Sequence, residues 1–247
     1  MSKQNGLGAG FLVGGTDLSG DIQAVTRIAS PRSVLDLTDI TQSAPERALA
    51  YKDGAIDFSS FFNPARAHPI LSALPRTDTA VMYLHRRTVQ NTMAACMVAK
   101  QVSYDGNRTQ DGGYIFSSST VANSYGLEWG NLLSVGVQTI TGAGGQTSLD
   151  LGAASSFGLQ AYLMVSAFSG TSVTFSVQSS SDNGAGDAFA AVTGATFTAV
   201  TAAPAWERLQ TARNQSIERY LRVSASGTFT SCTYALAVVV NPYTVNF

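Results

Sequence analysis

Apolar and polar residues alternate along this 247-residue chain in short runs, with the period of two that belongs to strands. Residues 21–28 (DIQAVTRI) set Ile22, Ala24 and Ile28 against Gln23 and Arg27. Residues 34–40 (VLDLTDI) place Leu35 and Leu37 around Asp36. Residues 55–61 (AIDFSSF) put Ile56, Phe58 and Ser60 on one face and Asp57, Ser59 and Phe61 on the other, and Asn63-Pro64 ends the run. Further strand-like runs cover 79–85, 93–104 and 113–120, with Asp105-Gly106 and Asp111-Gly112 bracketing the turn between the last two. Residues 66–74 (RAHPILSAL) are the best helix candidate, and Pro69 must fall in its first turn.

The later part reads as all-β. Runs at 161–168 and 172–179 meet at Ser169-Gly170-Thr171, a hairpin signal, and others follow at 189–192, 197–200, 217–223 and 228–240. Ala202-Ala203-Pro204 reads as a turn. Short strands at a spacing of roughly 8–12 residues predict a sandwich. The expected fold is therefore mainly β: packed sheets with a short flanking helix, then a C-terminal β-sandwich.

Charge divides the chain. Residues 1–140 hold 11 of the 15 Lys and Arg and 11 of the 16 acids, and the remainder has no Lys. Between the parts, residues 141–148 (TGAGGQTS) have the composition of a linker. This predicts one domain over 1–141, with a flexible glycine-rich N-terminal arm, and a second over 146–247.

Only 13% of residues are charged and the net charge is −1. A basic nucleic-acid binder needs a clear excess of Lys and Arg, so that class is disfavoured. No stretch has the apolar core of a signal peptide, and no run of 18 apolar residues exists, so synthesis in the cytoplasm without a membrane anchor is expected. Cys96 and Cys232 each sit in an apolar run and read as buried free thiols.

The residues offer little for catalysis, and neither an enzyme nor a metal or cofactor site is expected. His68 and His85 are the only histidines, too few for a zinc cluster with the two distant cysteines. There is no nucleophile elbow and no phosphate-cradling loop. Asp182-Asn183-Gly184 resembles part of a calcium loop, but position twelve from Asp182 is Thr193, so a turn is the better account. Asp36/Asp39 and Asp53/Asp57 read as solvated or interface acids, and Arg86-Arg87 with Lys100 and Arg108 as ordinary surface cations.

One ordered set of segments stands out: FLVGGTDLSGDIQAVTRI, then SVLDLTDITQSAPERALAYKDGAIDFSSFFNP, then AHPILSALPRTD and a strand. A strand, a long loop closing on Lys52-Asp53-Gly54, an Ile-x-Phe-Ser strand at 56–59 and a short helix follow in that order. Over most of residues 11–135 this resembles the major tail protein, or tail tube subunit, of long-tailed bacteriophages, especially those of actinobacteria. The resemblance implies two packed sheets and a flanking helix. It implies rings, commonly hexamers, whose inner sheets join into a barrel around a channel for DNA. It also implies an outer immunoglobulin-like or jelly-roll-like sandwich. Implied partners are further copies of the chain, the tape measure, terminator and distal tail proteins, and genomic DNA passing without sequence-specific contact. The implied location is the virion tail, assembled in the host cytoplasm.

Within that frame the segment 41–53 (TQSAPERALAYKD) becomes the ring-stacking loop, with Glu46, Arg47, Leu49 and Tyr51 its contact residues. Asp57, on the polar face of its strand, becomes a lumen residue. A rival expectation is a carbohydrate-binding or adhesion module, with Trp206 and Tyr220 as stacking platforms.

Overall fold

The computed structural model describes residues 5–244. It is nearly all β, built from antiparallel sheets, with one short helix. In chain order the strands begin with β1 (Gly10–Val13), β2 (Thr16–Asp17), β3 (Ile22–Ala29), β4 (Arg32–Asp36), β5 (Arg47–Lys52) and β6 (Ala55–Phe61). Helix α1 (Ala67–Leu71) precedes β7 (Thr79–Leu84), β8 (Met93–Arg108), β9 (Tyr114–Ala122), β10 (Glu128–Leu132) and β11 (Gln138–Ile140). Then come β12 (Gly144–Gly145), β13 (Leu149–Asp150), β14 (Leu159–Ser180), β15 (Ala190–Thr196), β16 (Ala205–Gln210) and β17 (Tyr220–Val240).

The chain forms two compact units. The first comprises Met1–Gly20, Ala80–Cys96 and Trp129–Phe247, and the second Asp21–Thr79 and Met97–Glu128. The division therefore does not fall at residues 142–145. Gly144 and Gly145 pair with Ala225 and Ser224 of β17, so the glycine-rich stretch is strand at that point and not free linker. Residues 1–4 of the expected N-terminal arm lie outside the described residues. Next to them, Gly8 accepts a hydrogen bond from the Arg87 backbone N–H at 2.7 Å, and Gly10 already belongs to β1.

The first unit is organised by two long antiparallel strands, β14 and β17, paired from Leu159↔Val240 to Ser180↔Tyr220. Residues 159–165 are buried at every position, as in a strand covered on both faces. Further along β14, Val173, Phe175 and Val177 are buried while Thr174, Ser176 and Gln178 are half-exposed. The core gathers Leu163, Val173, Phe175, Val223, Tyr234 and Leu236, with the Phe175 and Tyr234 rings 4.5 Å apart.

The hairpin expected at Ser169-Gly170-Thr171 is not a turn. The chain runs straight through as β14, and the register shifts at Ser169/Gly170 and Gly170/Ser172 mark a bulge. Gly170 takes φ 147°, and a Cβ there would lie 2.3 Å from Phe229 Cα. Likewise 217–223 and 228–240 are not two strands, since β17 runs on through Gly227. Cys96 and Cys232 are buried free thiols, and burial pushes the Cys232 thiol up to about 11.

The second unit holds the sheet β3–β6–β9–β8, with β8 joining from Ala99 onward. The expected turn at Asp105-Gly106 is inside β8, where Gly106 pairs with Phe116. One sheet face buries Ile56, Phe58, Phe116 and Thr120. Helix α1 buries Ala67 and Leu71, and the Gln101 side-chain N–H donates to Leu71 O at 2.8 Å. Asp21 accepts from Arg66 at 2.6 Å and from Asn63 at 2.9 Å, and the guanidinium holds its carboxyl below the usual range.

Candidate functional site

Residues 41–53, expected as one long loop, contain β5, which pairs with β4 in a separate two-stranded hairpin. Val34 lies opposite Leu49, Leu35 opposite Ala48, and Asp36 opposite Arg47. Short polar side chains shape its tip. Asp36 accepts from the Thr38 N–H and hydroxyl, and Asp39 does the same for Thr41, so both carboxyls sit below their ordinary values. Glu46 closes the tip: its N–H donates to the Thr38 hydroxyl at 2.9 Å and its carboxylate accepts from Gln42.

Nothing in the unit covers this hairpin. Leu49 is 66% exposed, Tyr51 87%, Val34 56% and Leu35 53%, and Leu37 and Ile40 are exposed as well. Cross-strand partners share a face, so Val34 and Leu49 form one apolar pair while Leu35 lies on the opposite face. Both faces are thus apolar and open. The expected contact residues Glu46, Arg47, Leu49 and Tyr51 all fall here, Arg47, Leu49 and Tyr51 on β5 and Glu46 just before it. Val34, Leu35 and Leu37 join them, although the sequence marked 34–40 only as a strand.

The second feature is the sheet face opposite the buried one. Asp57 lies on it, as the alternation predicts, in the row Arg27–Asp57–Ser119–Ser103. The next row carries Ser59, Ser117 and Asp105, and a third Phe61, Ile115 and Asn107. Asp57 is not a lone charge, because Arg27 Nη1 stands 3.7 Å from its Oδ2. The Ser59 hydroxyl donates to Gln23 at 3.2 Å. Apart from Phe61, Ile115 and Val121, this face is small, polar and nearly charge-balanced. Asp105 belongs to it, and the sequence hid that residue behind the Asp-Gly turn signal.

Other sequence candidates take structural roles. His68 lies in α1, with Nδ1 3.2 Å from the Tyr104 hydroxyl and its ring packed on Phe62 and Phe116. The Asp182 carboxylate accepts backbone N–H groups from Gly184, Ala185, Gly186 and Asp187, which makes a turn. Arg87 pairs with Asp17, and Lys100 with Asp78 at 2.7 Å. Trp206 is opposite Met164 and Tyr220 opposite Ser180, at opposite ends of β14, so they form no common platform. Among the described residues no helix is long and apolar enough to cross a membrane, and no group of three or more His, Cys, Asp or Glu could hold a metal ion.

No family model matches the sequence, and no curated protein does. Among solved structures, a chain from the virion of a native gene transfer agent (GTA) particle has a TM-score of 0.38 at 14% identity, covering 51% of this chain and 98% of that one. A chain from the tail of an empty GTA particle, refined helically with C6 symmetry, has 0.38 at 16%, with the same coverage. The SPP1 Dit protein, described as a paradigm of the hub adsorption apparatus in phages infecting Gram-positive bacteria, has 0.36 at 11%, covering 94% of this chain and 99% of that one. Likeness at this level carries no functional argument.

Proposed function

We propose that the chain is a structural, non-catalytic subunit of a phage tail tube, polymerising as stacked rings around a channel for DNA passage. The observation that carries this reading is the β4–β5 hairpin, with its open apolar side chains on both faces. An isolated two-stranded hairpin is at best marginal in water, and a large exposed apolar patch marks a surface that another molecule covers. In this reading the adjacent ring covers it. Leu49 and Tyr51 supply buried contact, Arg47 supplies planar hydrogen bonding, and Glu46 holds the tip.

The rest of the second unit suits the same role. Its sheet ends on β3 and on the 99–108 stretch of β8, which pair with β6 and β9 respectively. Such edges are satisfied when a neighbouring copy adds its own strand, and a head-to-tail repeat of that contact closes a ring. Six copies per ring is the count the sequence resemblance implies. The polar face carrying Asp57, Asp105 and the serines would then line the channel, where near-neutral groups let phosphates slide instead of binding them. In the virion, the tape measure, terminator and distal tail proteins would meet the ends and interior of such a tube.

Electron microscopy of the purified full-length chain tests the proposal. Stacked rings with an axial channel are expected. Discrete monomers at every concentration and ionic strength tried would overturn it.

A further inference from the structure

The second unit carries another exposed apolar surface, at the end of its sheet far from the hairpin. The β4–β5 hairpin leaves the sheet where Ala29 pairs with Ala55. The last pairs at the other end are Phe61↔Ile115, between β6 and β9, and Arg108↔Tyr114, between β8 and β9. β6 is seven residues long, so about 20 Å separates the two ends. At the far end Phe61, Phe62 and Tyr114 are all exposed. The Phe62 N–H donates to Tyr114 O at 3.0 Å and the two rings lie 5.1 Å apart, which makes one aromatic patch. Phe61 and Ile115 extend apolar surface onto the other sheet face. Arg108 stands beside Tyr114, exposed, and among the described residues no carboxylate of its own chain pairs with it.

The hairpin matches this end in polarity and charge. Both are apolar on two faces. From Asp36 to Arg47 the hairpin tip holds Asp36, Asp39 and Glu46 against the single cation Arg47. A symmetric contact between two hairpin tips would set three acids against three, and like charges brought together oppose association. The far end offers aromatic rings and an unpaired cation instead. Because the two surfaces lie at opposite ends of one sheet, their contact is head-to-tail. Each copy that docks presents a fresh hairpin, so the repeat propagates along the strand direction.

We propose that the hairpin of one copy docks on the Phe61, Phe62 and Tyr114 end of the next, with the tip acids around Arg108. Leu37, Ile40 and Leu49 cover the aromatic rings. This rests on the tail-tube reading and deepens it, by naming the surface that receives the hairpin and giving the stack a direction.

Two variants of the full-length chain test this by complementation. Leu49→Ser with Tyr51→Ser disables the hairpin, and Phe61→Ser with Tyr114→Ser disables the far end. Circular dichroism checks each fold, and electron microscopy with sedimentation velocity reads assembly. Neither variant alone should form long tubes. Mixing them should restore stacking that neither shows alone, because the intact hairpin of one meets the intact far end of the other. If the parent forms tubes and the far-end variant forms them equally well, the proposal is overturned and the tail-tube reading stands. A mixture that restores no stacking also overturns it. If the parent forms no tubes, both fall. Arg108→Glu, at an exposed position, should raise the protein concentration needed for tubes about tenfold. If the far-end variant fails to fold, the Arg108→Glu result decides alone, and an unchanged concentration overturns the proposal.

Discussion

Two antiparallel strand pairs in this protein have opposite fates. In the β14–β17 pair, apolar side chains alternate into a core that holds Phe175, Tyr234 and Leu236. In the β4–β5 pair, Val34, Leu35, Leu49 and Tyr51 reach no core. The backbone pattern is the same, and the surroundings differ. A strand pair is stabilised by the surface its side chains remove from water, at roughly 25 cal/mol per Å² of apolar area. The long pair collects that term within the chain, and the short pair does not. The short pair therefore has the character of an interface awaiting another molecule, as the tail-tube reading requires.

Truncating one apolar side chain in each pair tests this difference most strongly. Phe175→Ala should cost about 3–5 kcal/mol in denaturant unfolding of the soluble chain, because Phe175 is fully buried against Tyr234. Leu49→Ala should stay within about 0.5 kcal/mol of the parent, because Leu49 is largely exposed and removes little apolar surface from water. A cost near 2 kcal/mol for Leu49→Ala would show that the hairpin packs on its own chain, and the comparison would fail.

Acid gives a smaller effect, and one that orders the two regions. In the first unit, Asp150 accepts a two-pronged contact from Arg219, both bonds at 2.7 Å, and the guanidinium with the Gly152 N–H lowers its pKa to about 2. A folded pKa below the unfolded value means that the contact's stabilisation is present above the ordinary carboxylate range and is lost as pH falls through about 2. Asp36 and Asp39 of the hairpin are lowered by the Thr38 and Thr41 contacts. NMR titration should show the Thr38 and Thr41 amides shifting first on acidification and the Asp150 carboxyl last. Thr38 and Thr41 amides that do not move as Asp36 and Asp39 protonate would mean that the hairpin tip is not held by those two aspartates.

Much of this fold was legible where alternation is strict. Residues 21–28 and 55–61 became β3 and β6 within a residue, and Asp57 lies on the face its spacing assigns. The failures have a common cause, since glycine marks turns and bulges alike. Gly170 suggested a chain reversal and 217–223 and 228–240 read as separate strands, yet Gly170 and Gly227 let long strands bend where a neighbouring backbone approaches too closely for any Cβ. Gly106 did the same for β8: a Cβ there would strike the Phe116 ring, and the misread turn hid Asp105.

The hairpin was half legible. Leu49 and Tyr51 were picked out as contact residues, but their alternation with Ala48 and Ala50 was not taken as a strand. The apolar content of β4 passed as ordinary strand burial, because a sequence pattern shows which faces are apolar and not whether anything covers them. Trp206 and Tyr220 were named together as stacking platforms, whereas their separation depends on pairings that no local pattern encodes.

The central claim is that the hairpin is completed by another copy of the chain, and a double substitution tests it most directly. Leu49→Ser with Tyr51→Ser removes apolar contact from β5 while leaving the buried cores untouched. Electron microscopy of this variant beside the parent, with circular dichroism to confirm the fold, is the measurement. The account predicts a folded, soluble subunit that no longer forms long tubes under conditions where the parent does. Tubes of parental length and number from the folded variant would contradict it.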